Sequence, residues 1–154
     1  MLVHRSLALL ILGGSLAACA SAPARRAAPN PEITFDLSAS PDRAREQLAA
    51  AFAANGLPVA TSQPGVLEFH GPRERGILGY YEVFARAVIV PLDNCGTRVT
   101  MFGEETKYPN AVSSQGTATR IGPSSTGRAR DVWNKLQLVA TAVRGDSTVR
   151  TRTH

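Results

Sequence analysis

Few side chains in this sequence of 154 residues have the chemistry to react, and most of those stand alone. The cysteines are Cys19 and Cys95, and the histidines are His4, His70 and His154. His70 closes a short apolar segment, and no Asp, Glu or Cys accompanies it at a metal-ligand spacing, so zinc is not indicated. Glu104-Glu105 are adjacent on a predicted strand, where neighbours face opposite ways and cannot act jointly. Ser113-Ser114 and Ser124-Ser125 lack the Gly-x-Ser-x-Gly elbow that exposes a nucleophilic serine. Glycine-rich phosphate loops of Walker or dinucleotide spacing are absent. What stands out instead is Tyr80-Tyr81 with Arg73, Arg75 and Arg86 nearby. Exposed aromatics beside arginine are favoured where one protein packs on another, which makes Arg73, Arg75, Tyr80 and Tyr81 candidate partner-binding residues. The competing reading puts one Tyr in the core and the other on the sheet surface.

The two cysteines differ in setting. Arg5 and the apolar run Leu7–Leu16 form a charged start and a short hydrophobic segment, as in a secretory signal peptide. The run is too short for the roughly 20 residues that span a bilayer as a helix. Leu16-Ala17-Ala18-Cys19 resembles the lipobox of bacterial lipoproteins, in which the cysteine becomes a thioether-linked lipid and the leader is cut before it. The resemblance implies that Cys19 is lipidated and that residues 1–18 are removed. The alternative is an ordinary secreted protein cut at the neighbouring alanines. Two cysteines in an oxidising compartment would ordinarily read as one disulfide. A lipidated Cys19 has no thiol to offer, which leaves Cys95 unpaired. Cys95 lies in Asp93-Asn94-Cys95-Gly96, a turn composition with no neighbouring His or Lys to activate a thiolate, and reads as inert.

Without the eighteen-residue leader, 154 residues become 136, and the formal charge falls from +5 to +4 because Arg5 is lost. That length suits one domain with one core. A basic balance often points to nucleic acid, but an exported chain does not meet the genome, and an anionic membrane surface or lipopolysaccharide phosphate is the available class of partner. The cations are mostly arginines scattered among acids, which equally suits a plain solvated surface. No cofactor is indicated.

Residues 19–31, rich in Pro and Ala with Arg25-Arg26 in the middle, cannot build a core and read as a tether. Ile33, Phe35 and Leu37 share one face of a first strand. Ser40-Pro41-Asp42 then opens a helix with a good N-cap, a proline at the first turn and an acid at the dipole's positive end. Ala44, Leu48 and Phe52 form its apolar stripe, and Gly56 ends it. Strands are expected over residues 57–62, 66–70, 80–92 and 97–106. Val83, Ala85, Ala87 and Ile89 point one way, and Val99 and Met101 share the inner face. Residues 71–79 read as a polar loop. Residues 103–127 lose apolar periodicity and read as a long polar loop. Val132, Leu136, Val139 and Val143 recur at helical spacing in a last helix ending near Arg144-Gly145. Residues 146–154 read as a frayed tail. The expected fold is α+β in β-α-β-β-β-β-α order: one domain over 32–145, with an antiparallel sheet of four to five strands and both helices on one face.

This order of elements, joined to Leu16-Ala17-Ala18-Cys19 and the tether, resembles small outer-membrane lipoproteins with BamC-like domains. The similarity runs through Phe35-Asp36-Leu37-Ser38, the Ala44/Leu48/Phe52 stripe with Gly56, and Gly65-Val66-Leu67-Glu68-Phe69. It implies the fold class, the envelope and a role in envelope assembly; it carries over no site residue. The 103–127 segment is longer than that pattern calls for. Ala20, where inner-membrane lipoproteins of enterobacteria carry Asp, points to the outer membrane; a periplasm-facing domain is expected over a surface-exposed one. The expected function is that of a non-enzymatic lipoprotein that binds another envelope protein, with a small-ligand or lipid-binding module as the alternative. The anchor is tested directly. Cys19→Ser should abolish labelling by radioactive palmitate and leave the precursor uncut. Labelling that survives the substitution, or a Cys19–Cys95 disulfide, would overturn it.

Overall fold

The computed structural model describes residues 30–150 apart from Asn94, with side chains to residue 145. The leader, Cys19, most of the tether and residues 151–154 lie outside the described residues. Nine elements follow in order: β1 (Ile33–Leu37), α1 (Pro41–Ala54), β2 (Thr61–Gln63), β3 (Val66–His70), β4 (Glu74–Gly76), β5 (Gly79–Pro91), β6 (Thr97–Tyr108), β7 (Thr117–Arg120) and α2 (Gly127–Arg150).

The α1 boundaries follow from side-chain and backbone chemistry. The Ser40 hydroxyl accepts from the Arg43 N–H at 3.4 Å, and Pro41 occupies the first turn, where no donor is missed. At the other end the Gly56 N–H bonds the Ala53 carbonyl at 3.0 Å and the Leu57 N–H reaches back to Phe52 at 2.9 Å. That pair of bonds is a Schellman closure, and it needs the left-handed backbone that Gly56 supplies at φ +69°. Phe52 and Leu57, the two residues this closure brings together, are both fully buried.

The sheet is antiparallel throughout and is organised by one long hairpin. β5 pairs with β6 from Tyr80↔Tyr108 to Pro91↔Thr97. Each strand of that hairpin carries two shorter strands end to end on its outer edge. β1 and β7 share the edge of β6, and β3 and β4 share the edge of β5, with β2 outside β3. Val83, Ala85, Ala87, Ile89, Val99 and Met101 all face the helices and are buried, as period two requires. They pack with Ala44, Leu48 and Phe52 of α1 and with Val132, Leu136, Val139 and Val143 of α2 in one hydrophobic cluster. The buried Thr97 hydroxyl donates to the Ala39 carbonyl at 2.6 Å, tying the β1–α1 connection to the start of β6.

The α+β class and the helices on one sheet face hold, while the strand count rises to seven. The segment expected to be a loop over 103–127 is largely strand: β6 continues to Tyr108, and Thr117–Lys107 to Arg120–Glu104 pairs bring β7 back along it. The 71–79 loop likewise contains β4, folded back on β5 around Ile77-Leu78 with Gly76 opposite Gly79. The strand expected over 57–62 is confined to Thr61–Gln63, and α2 passes through Gly145 to Arg150 instead of ending there.

Ile121, just after β7, explains a glycine in the middle of β6. A Cβ on Gly103 would overlap the Ile121 side chain and lie 3.2 Å from the Phe84 carbonyl. Gly103→Ala should therefore destabilise the domain by roughly 1–3 kcal/mol. Ile121→Val in the same chain should return part of that loss in urea denaturation, and additive losses would show that the two positions do not share this space.

Candidate functional site

The helices do not cover the whole length of the β5–β6 hairpin. Toward the Tyr80–Tyr108 end the sheet carries only the short edge strands β4 and β7, and a groove of about 800 Å³ opens on its helix side. Tyr81, Val83, Ile121 and Ala129 give it an apolar floor. Its walls are the β4–β5 turn and the Ser124–Arg128 approach to α2, with Glu105 and Thr119 on the rim. Arg128 ties one wall to the other. Its guanidinium lies 2.7 Å from the Glu74 carboxylate and donates to the Pro72 carbonyl at 3.1 Å. Gly71 fits beneath that arginine, since a Cβ there would come 2.8 Å from the guanidinium and 2.9 Å from the Val83 carbonyl.

The four residues singled out in the sequence divide between the two faces of the sheet. Tyr81 lines the groove, its ring lying over Gly76. Tyr80 is next along β5 and so points to the opposite face, whereas Arg75, its cross-strand partner, contributes to the groove wall together with Ile77 and Leu78 of the β4–β5 turn. Arg73 has a fastening role. It stacks 3.6 Å from the centre of the Tyr108 ring, pairs with Glu82 at 3.4 Å, and donates to the Ala111 and Ser113 carbonyls at 3.0 and 2.9 Å. It thereby holds the β6–β7 connection against the base of β4. Groove residues Ile121, Thr119 and Arg128 fall in or just beyond the stretch read as loop. The β-branched Thr117 and Thr119 and the isolated Ile121 were the available signal.

The face turned away from the helices is an open, charged surface with a shallow depression of about 250 Å³ among Glu68, His70, Phe84, Arg86, Phe102 and Glu104. Glu68 accepts from both sides: Arg86 lies 2.5 Å from one carboxylate oxygen and His70 Nε2 3.4 Å from the other. His70 meets Phe84 edge to face at 4.9 Å. Glu68 and His70 are two apart on β3 and therefore share a face. Arg120 stacks 3.4 Å over Phe102 and pairs with Glu104 at 3.3 Å. Asp36 receives two bonds from Arg98, at 2.8 and 2.9 Å. These contacts use the charges to neutralise one another across strands, and no serine or cysteine lines the depression. Cys95 is exposed, with a positive φ of 62° in the β5–β6 turn.

Among the described residues no group of three or more His, Cys, Asp or Glu is placed to hold a metal ion. Nor is any described helix long and apolar enough to cross a membrane. Comparison with protein families and with curated proteins finds no match.

Two carboxylates of the open face titrate abnormally. Partial burial works against the ionised Glu68, but the His70 hydrogen bond and the Arg86 charge outweigh it and hold the group below its usual range. The Arg98 hydrogen bonds hold Asp36 low as well. A carboxylate whose folded pKa is depressed adds stability above its unfolded pKa and loses it as pH falls through the folded one. Glu68→Gln and Asp36→Asn should therefore be less stable than the parent at neutral pH, and urea midpoints should converge with it as the solution is acidified below the ordinary carboxylate range. A gap that stays constant with pH would show that these ion pairs do not contribute.

Proposed function

We propose that this chain is a non-enzymatic, lipid-anchored accessory protein of the bacterial envelope, held at the outer membrane through Cys19, whose domain binds a segment of another envelope protein. The anchor is supported by Leu16-Ala17-Ala18-Cys19 and by the Pro- and Ala-rich stretch that follows it. The binding role rests on the groove: an apolar floor walled by backbone, hydroxyls and charges of both signs suits a peptide segment, which offers side chains and main chain together. The likeness to BamC-like domains, a fold-level analogy, points the same way. A small apolar ligand is the second reading, favoured by a volume inside the usual 300–1,000 Å³ of small-molecule sites.

A photo-reactive amino acid at Ser125, on the groove wall, should give a discrete protein adduct in intact cells. The same group at Gln137, on the exposed side of α2, should give none. Thr119→Trp, which narrows the groove from its rim, should reduce the Ser125 adduct several-fold while the amount of folded protein is unchanged. An adduct indifferent to Thr119→Trp, or equally strong from Gln137, would overturn the groove as the binding site. A ligand retained on the mature protein in native mass spectrometry would replace it with the second reading.

A further inference from the structure

The three most exposed of the large apolar side chains described, Ile77, Leu78 and Val112, lie in turns at one end of the molecule, apart from the less exposed Val90 and Leu138. Ile77 is 101% exposed and Leu78 72%, side by side at the tip of the β4–β5 turn; Val112, at 91%, sits in the connection between β6 and β7. Both turns lie beyond the Tyr80–Tyr108 pair, at the same end of the long hairpin, and Arg73 binds the second turn to the base of the first. Turn tips are ordinarily polar, and the core does not require Ile-Leu between Gly76 and Gly79: neither side chain packs on it, and both stand only on the open wall of the groove. The charges around the tips lean positive, with Glu105 set back along β6 on the groove rim. Glu74 and Glu82 are engaged by Arg128 and Arg73, whereas Arg75 and Lys107 are exposed and take part in no ion pair among the described residues.

We infer that these tips form a second membrane contact, Ile77, Leu78 and Val112 entering the headgroup layer of an anionic bilayer while Arg75 and Lys107 face its phosphates. Apolar side chains ringed by cations are what an interfacial contact needs: burial of the former and attraction of the latter act together, and either alone binds weakly. The chain outside the described residues is long enough to allow it. Pro31 packs against Gly122, and β1 enters opposite Met101, seven residues from Tyr108 along β6 and so about 24 Å from that end. The eleven residues from Ala20 to Asn30 reach about 34 Å when extended, so a lipid on Cys19 and the turn tips can lie in one membrane plane. The inference uses the envelope reading only to bring the domain to a membrane, and its test does not use the lipid.

The mature chain with Cys19→Ser, which carries no lipid, should float with vesicles of phosphatidylethanolamine and phosphatidylglycerol and remain behind with phosphatidylcholine alone. Ile77→Asp/Leu78→Asp, at positions outside the core, should weaken flotation at least about tenfold with an unchanged circular dichroism spectrum. Arg75→Glu/Lys107→Glu should weaken it by a similar factor and remove the dependence on phosphatidylglycerol. Arg25→Ala/Arg26→Ala controls for the tether and should retain most of the binding. In a Leu78→Trp variant, added vesicles should shift the new fluorescence to the blue. The inference is overturned if the unlipidated chain ignores anionic vesicles, if the tip variant floats like its parent, or if only the tether variant loses binding. It is overturned equally if a cross-linker at Leu78 finds an envelope protein while the tip variant's flotation is intact. Palmitate on Cys19 reports the anchor and the adduct at Ser125 reports the groove; Arg75, Ile77 and Leu78 also stand on the groove wall, but flotation of the isolated chain with vesicles reads the tips without any protein partner.

Discussion

The pairing of β5 with β6 over twelve residues on each strand is the constraint on which the other elements depend. A hairpin that long exceeds what two helices cover. Where α1 and α2 lie on it, the inner face carries Val, Ala, Ile and Met and the sheet is closed by hydrophobic burial. Where they do not, the same strands carry Tyr81, Glu105 and Lys107 on that face, and the edges are completed by strands of three and four residues. The groove is what remains when a sheet outruns its helical layer.

At the uncovered end, arginine does what apolar packing does elsewhere. Arg73 combines a ring face, a carboxylate and two backbone carbonyls, and Arg128 combines a carboxylate and a carbonyl contributed by the loop and strand across the groove from α2. A planar guanidinium with five donors can satisfy several acceptors at once and still stack on an aromatic ring, which an ammonium cannot. Each ion pair of this kind is worth little when fully solvated. Here the guanidinium groups are partly buried and bridge segments far apart in sequence, so each bond fixes chain that would otherwise be unrestrained. The turn between β6 and β7 is ordered by Arg73 in this way, without an apolar residue of its own in the core.

How much of this was legible in the sequence depended on whether one face of an element is dry. α1, β1, β3 and the covered half of β5 have a buried side and a wet side, and Ala44/Leu48/Phe52 or Val83/Ala85/Ala87/Ile89 betray them directly. The end of β6, β4 and β7 are wet on both faces. Their residues alternate between two solvent-accessible surfaces, so Glu104-Glu105-Thr106-Lys107 has no hydrophobic period to detect, and only the cross-strand partners reveal a strand. The same limit applied to the site. The sequence groups Arg73, Arg75, Tyr80 and Tyr81 only by nearness in the chain, and the β4–β5 pairing keeps them neighbours in the fold. Period two then separates Tyr80 from Tyr81, and no sequence pattern announced that Arg73 would reach the carbonyls of Ala111 and Ser113. Gly145 read as a helix stop because glycine favours C-caps, yet the helix runs through it to Arg150.

The separation of covered and uncovered ends has a consequence for how the domain can evolve and act. Core residues lie under α1 and α2, whereas Ile77, Leu78 and Val112 are outside that cluster altogether. A change at the tips alters what the molecule meets without altering the core that holds it together, because those side chains lie outside it. The groove is intermediate: Tyr81 and Val83 belong to the central hairpin, but the rim residues Thr119 and Ser125 belong to connections fastened by hydrogen bonds. Recognition at this end can therefore vary through rim and tip residues while the register of β5 against β6, set by buried alternation at the other end, keeps the floor in place.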